Sequence, residues 1–192
     1  MEKRRPAPKR PTVSTFGHLR QVARQFCPPY EIADESPRAL RIALRDPDGK
    51  RPPIAVRHRH ERRMLLKANY LVAEAAVEGN GPSEDGELVF RFRGSLRRQK
   101  PFLRWRQPIA DAGEWSRRLE GPLMGGVRQI KAIESLRIGW SAAERTWHLS
   151  LTTMSGSMMG GFMSPLPIAV PMDREEALGI VSLVDALATT AT

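Results

Sequence analysis

The folds open to this chain are restricted most by how its alternating apolar segments are joined. Leu40, Ile42 and Leu44 alternate with Arg41 and Ala43, then Asp46-Pro47-Asp48-Gly49 leads to Ile54-Ala55-Val56-Arg57-His58. Period two sends successive side chains to opposite faces of a strand. A Pro/Asp/Gly link this short reverses the chain and leaves no room for the crossover that parallel strands need. The segment therefore predicts an antiparallel hairpin, with Pro52 and Pro53 at an edge or ahead of its second strand.

The same logic recurs twice. Strands over 87–93 and 102–106 flank the basic loop Gly94-Ser95-Leu96-Arg97-Arg98-Gln99-Lys100-Pro101, with Phe90, Phe92, Leu103 and Trp105 facing a core. Strands over 136–140 and 145–151 are joined by Ser141-Ala142-Ala143-Glu144, and Pro165 to Val170 reads as an edge strand.

Helical spacing appears between these pieces. Ser14 caps a short helix bearing Leu19, Val22, Ala23 and Phe26, which Pro28 and Pro29 end. Asp111 with Glu114 reads as a capping box for a helix with Trp115 and Leu119 inward, interrupted at Gly121-Pro122 and followed by a second helical piece through Met124, Val127 and Ile130. Asp173 with Glu176 caps a last helix whose stripe is Ala177, Ile180, Val181, Val184 and Leu187. Residues 61–76 carry both periods. Their Ala, Leu, Lys and Glu content favours a helix, while the alternation of Leu66, Ala68, Tyr70 and Val72 leaves open a hairpin of 67–77 with 87–93.

These elements give an α+β fold with a predominantly antiparallel sheet packed by helices. Residues 14–192 read as one domain. Its halves, 14–108 and 109–192, form a crude pseudo-repeat of α/βββ units closed by the C-terminal helix, with no residue-level repeat behind it. Residues 1–13 place Lys3, Arg4, Arg5, Lys9 and Arg10 among Pro6, Pro8 and Pro11, and read as a flexible basic arm.

Charge is distributed unevenly. Residues 1–110 hold 24 basic and 12 acidic side chains, a net of +12, whereas residues 111–192 hold 7 and 9, a net of −2. Such an excess suits an anionic partner when it clusters in space. As only 6 of the 31 basic residues are lysine, an arginine preference from coding bias is the plainer account of the composition. Cys27 is the one cysteine, which excludes an internal disulfide and any cysteine-based zinc module. No uncharged stretch is long enough and free enough of Gly and Pro to span a membrane, and a cytoplasmic protein is the expectation.

Three constellations bear on function. In the first, pairing of 87–93 with 102–106 puts Arg91, Arg93, Arg104 and Arg106 on one face, extended through the loop by Arg97, Arg98 and Lys100. Guanidinium groups at that spacing meet successive phosphates, and Phe102 is placed to stack on a base. The second is His58 and His60, which share a face in an extended chain. With no third or fourth ligand at diagnostic spacing they are expected to bind no metal, and they read as a pH-dependent part of the basic surface. The third is the Met/Gly-rich run 154–165, where Met158, Met159, Phe162 and Met163 would wall a hydrophobic pocket. No phosphate-loop, dinucleotide, zinc-protease, serine-hydrolase or kinase motif is present, so no cofactor or catalytic residue is assigned. The expectation is a nonenzymatic binding protein contacting nucleic acid or another polyanion through the ribbon. The alternatives are a binder or enzyme for a hydrophobic small molecule, and a structural or protein-interaction module.

Overall fold

Alternation and capping become one large sheet with helices on a single face. The computed structural model describes residues 14–63, 66–93, 100–161 and 164–192. Among them run α1 (Thr15–Arg24), β1 (Glu31–Ser36), β2 (Arg41–Arg45), β3 (Ile54–Arg63), β4 (Leu66–Glu78), β5 (Gly86–Arg93), β6 (Lys100–Trp105), α2 (Ala112–Gln129), β7 (Ile133–Ser141), β8 (Thr146–Gly161), β9 (Ser164–Ala169) and α3 (Arg174–Ala191). The sheet order is β1-β2-β3-β4-β8-β7-β5-β6, with β9 on the far end of β8, and each of its pairings is antiparallel. The basic arm expected over residues 1–13 lies outside the described residues.

The fold is therefore mixed α+β with a large antiparallel sheet, as the turn chemistry predicts. Strands β7 and β8 insert between β4 and β5, so the segments before and after residue 108 interleave in the same sheet.

Local signals account for the helix ends and the first hairpin. The Ser14 hydroxyl accepts from Gly17 N, and at Asp173 a full capping box forms with Glu176. In the β2–β3 turn the Asp46 carboxylate is buried and accepts from the backbone N–H groups of Asp48, Lys50 and Arg51, which fixes the link between the strands.

Three sequence expectations are corrected. Residues 61–63 and 66–76, expected to be helical, are strand: β3 and β4 pair antiparallel over a long register, and β4 pairs β8 on its other side rather than β5. Both faces of the first part of β4 are covered, with Leu71 and Ala73 toward the helices and Ala68, Tyr70 and Val72 buried on the opposite side. A strand buried on both faces reads as a continuous apolar run, and two hydrogen-bonded ladders outweigh the helix propensity of Ala, Leu and Glu. Second, α2 is one helix running through Pro122. Pro122 and Arg118, whose carbonyl loses its donor, lie on the solvent side, while the stripe Trp115, Leu119, Leu123, Met124 and Val127 stays buried. Burying these side chains contributes about 1.5 to 3 kcal/mol each, against about 3 kcal/mol for an internal proline. Third, Asp111 makes no capping bond; its carboxylate instead accepts from the N–H and hydroxyl of Ser83.

The core lies between the sheet and the three helices. Ile42 and Leu44, Ile54 and Val56, Leu71 and Ala73, Leu136 and Ile138, and Leu149 and Leu151 meet Leu19, Val22 and Phe26 at one end and Leu119, Leu123, Ile180 and Val184 at the other. The opposite face of the sheet carries none of the described helices.

Candidate functional site

Register decides what stands on the open face. Leu88 pairs with Trp105 and Phe90 with Leu103, and these side chains pack against the core. The intervening positions therefore point away: Val89 opposite Arg104, and Arg91 opposite Phe102. Arg106, whose N–H bonds the Glu87 carbonyl, continues that face, and Arg93 and Lys100 occupy the same register parity further along. On the other side of β5, Val89 pairs with Arg137 of β7, while Leu136 and Ile138 enter the core. Arg91, Arg104, Arg106 and Arg137 are all exposed on this one face of three adjacent strands. Strands lie about 4.8 Å apart and alternate residues along a strand about 6.6 Å apart, so the four form a compact patch.

The patch contains a depression of about 260 Å³ lined by Arg91, Arg106, Arg137, Glu134 and Ser135 over Val89. Its electrostatics are mixed. Glu87 accepts from Arg106 at 2.9 Å and lies 3.9 Å from Arg137. Arg91 and Arg104 have no carboxylate partner among the described residues. Toward β4 the face becomes shallow and small-chained: Ala43, Ala55, Ala76 and Ser150 line a trough of about 350 Å³ with Arg41, Glu74 and His148 at its margin. Arg57 engages Glu74 there through two hydrogen bonds of 2.8 and 3.0 Å, and this pairing holds the Glu74 carboxyl below its usual range.

The register thus brings Arg91, Arg104 and Arg106 together on one face and sets Phe102 beside them, half-buried. Arg97 and Arg98 lie outside the described residues, and Arg93 and Lys100 are placed by backbone register only. Arg137 was absent from the sequence-derived ribbon. The alternation of Leu136, Ile138 and Trp140 points it outward, but that β7 lies next to β5 is not a property of either segment alone.

The histidines are redistributed. His58 and His60 do share a face of β3, yet that face looks toward the helices. His60 stays exposed and bonds Asn69, while His58 is buried under α1. The expectation that both belong to the basic surface is corrected for His58: its neighbours on β3, Ile54 and Val56, are core residues, and parity takes it with them. It meets His18 of α1, with ring centroids 6.0 Å apart and planes 25° from parallel. Among the described residues no group of three or more His, Cys, Asp or Glu side chains is arranged to hold a metal ion.

In the Met/Gly-rich run, β8 simply continues. Four residues, 154–157, stand opposite Tyr70 alone in a wide bulge, where Gly156 adopts a left-handed φ of +76°. Met158 is packed and Met159 is half-buried; Phe162 and Met163 lie outside the described residues. Ser155 and Ser157 turn inward at the bulge. Ser155 donates to the buried Glu176 at 2.6 Å, and Ser157 donates to the Thr153 carbonyl and accepts from Leu71 N. Cys27 ends the α1 region half-buried, its thiol pushed up by burial, which suits packing rather than nucleophilic chemistry. No described helix is long and apolar enough to cross a membrane.

Sheet, one-sided helical layer and arginine-bearing face define an antiparallel α+β protein whose second sheet face is exposed at Arg91, Arg104, Arg106 and Arg137 and carries none of the described helices. Over residues 24–191 the chain matches the family described as a protein of unknown function, DUF3156, and it belongs to that family. No curated protein and no solved structure matches it.

Proposed function

We propose that the protein is a nonenzymatic nucleic-acid-binding protein that holds a phosphate backbone against the open face of its sheet. The observation that carries this reading is the common face of Arg91, Arg104, Arg106 and Arg137 on β6, β5 and β7. Arginine remains charged at every ordinary pH and offers a planar array of donors to phosphate oxygens. Phe102, the register partner of Arg91, provides an apolar surface beside the cations on which a base can stack. The small side chains of the neighbouring trough let a backbone approach the sheet closely. Glu87 and Glu134 temper the local charge, which favours a salt-sensitive, sequence-tolerant contact over a tight one. In this reading residues 1–13 add a second, nonspecific contact.

The test is binding of labelled single-stranded and duplex oligonucleotides across a salt series. Four phosphate contacts correspond to a slope of log affinity against log salt between about −3 and −4. Replacing Arg91, Arg104, Arg106 and Arg137 together by serine should remove most of that slope with folding unchanged. Absence of binding at low salt in the intact chain would overturn the reading. Deleting residues 1–13 should weaken low-salt binding and leave thermal stability unaltered.

A further inference from the structure

The His18–His58 pair is an anomaly of the core. Both side chains are 5% exposed, and each keeps one ring nitrogen, Nε2 of His18 and Nδ1 of His58, buried without a partner. Buried polar atoms are ordinarily paired, so two unpaired nitrogens on facing rings call for a reason. The tautomer of His58 is fixed from outside the pair: its Nε2–H donates to the Gly156 carbonyl at 2.9 Å, a carbonyl presented by the left-handed residue of the β8 bulge. That bulge is tightly seated, since a Cβ on Gly156 would stand 2.8 Å from the Leu71 side chain and 3.2 Å from Val22 of α1. Three elements, α1, β3 and β8, therefore meet at one polar node inside an apolar layer formed by Leu19, Val22, Leu71 and Val56.

This node tolerates two neutral imidazoles and little else. An imidazolium is a donor at both nitrogens, so protonating His58 leaves a buried Nδ1–H with no acceptor in place, and at His18 the backbone groups of Gly156, Ser157 and Val170 offset only part of the cost of burying the charge. A second proton would add a like charge across 6.0 Å. The surrounding charged groups are engaged elsewhere. On α1, Arg20 pairs with Glu35 of β1 and Arg24 is exposed; on β3, His60 bonds Asn69 of β4. On β2, Arg41 and Arg45 are exposed on the open face, and β8 contributes only Ser155, Gly156 and Ser157. In the segment after β9, Val170, Pro171 and Met172 carry no charge. Asp173 beyond them pairs with Lys131, and Glu176 of α3 is bonded to Ser155. Among the described residues no carboxylate is paired with either imidazole. A groove of about 230 Å³ between α1 and residues 169–172, lined by His18, Gln21, Gln25 and Met172, opens beside the His18 ring.

We propose that His18 and His58 form a proton-operated latch: neutral, they hold α1 on the sheet, and uptake of a proton by either ring releases the helix. Burial lowers the proton affinity of both rings relative to free histidine, which keeps the latch closed at neutral pH. The backbone groups of Gly156, Ser157 and Val170 oppose that lowering at His18 without overcoming it. Because the released form binds the proton better, acidification below about 6.5 favours release by about tenfold per pH unit for each histidine freed. Release would uncover Leu19, Val22, Ala23 and Phe26 and the strands beneath them.

The test is direct because the chain has four histidines and the two outside the pair, His60 and His148, are exposed. Imidazole proton signals followed by NMR from pH 7.5 to 4.5 should show His18 and His58 taking up protons below the ordinary histidine range, in step with loss of α1 protection. Amide exchange of residues 16–26, corrected for intrinsic rate, should accelerate at least tenfold over the same interval while that of residues 177–187 stays constant. His18→Leu, or His58→Gln should the leucine variant not fold, should flatten most of that dependence. The proposal is overturned if both buried rings titrate with α1 still protected, or if α1 and α3 lose protection together.

Discussion

Gly126 of α2 and Gly179 of α3 face each other so closely that a Cβ on Gly126 would stand 2.8 Å from the Gly179 carbonyl oxygen. The contact lets the two helices pack backbone to backbone where Leu183 and Ile130 close over it. Its neighbour Gly125 has nothing within 4 Å of the same added atom. Gly126→Ala should lower stability by about 1 to 3 kcal/mol through overpacking. Gly125→Ala should raise it by about 0.5 to 1 kcal/mol through helix propensity. Urea unfolding of the two variants separates these effects, and equal shifts would contradict the packing.

Glu176 is 3% exposed and accepts from the Ser155 hydroxyl at 2.6 Å, from Lys131 N at 3.2 Å and from Asp173 N. It thereby ties the start of α3 both to the β8 bulge and to the chain leaving α2. Glu176→Ala strands those donors and should cost about 2 to 4 kcal/mol. Ser155→Ala leaves the carboxylate its backbone donors and should cost about 1 to 2 kcal/mol. Thermal unfolding gives both numbers, and a neutral Glu176→Ala would show that the node carries no stability.

On the open face, Glu87 sits against both Arg106 and Arg137. Glu87→Gln removes the competing carboxylate and should tighten oligonucleotide binding severalfold at low salt, with the gain fading as salt rises. Weaker binding by this variant would place the anion contact away from β5 and β7.

The Arg57–Glu74 pair gives a pH dependence distinct from that of the buried histidines. Arg57 holds the Glu74 carboxyl below its ordinary value of 4.5. The folded state then prefers the ionised form, so this stabilisation is fully present above pH 4.5 and is lost as pH falls through the depressed value. The side chains are about one-third exposed, so solvent screens the pair and its contribution is modest. Urea midpoints of the intact chain and of Glu74→Gln should differ at pH 7 and draw together as pH falls below 4.5. A constant offset would mean the carboxylate is not what stabilises.

What the sequence by itself determined are the features written in neighbouring residues. The Asp46 turn, the Ser14 and Asp173 caps, the stripe of α3 and the inward parity of Phe90, Leu103 and Trp105 all follow from interactions over a few positions, where propensity and periodicity act directly. Antiparallel pairing followed as well, because the turn links are too short for anything else. Only the tertiary structure decided the rest. The period of 61–76 was ambiguous until β3 and β8 supplied ladders on both sides of β4. Pro122 looked like a helix end until the buried stripe of α2 outweighed its missing hydrogen bond. The partnership of Arg137 with the arginines of β5 and β6, and of His18 with His58 across 40 residues, depends on strand order and on which face the helices cover. Those choices are set by burying one continuous apolar layer, a sum over distant residues that no local segment contains.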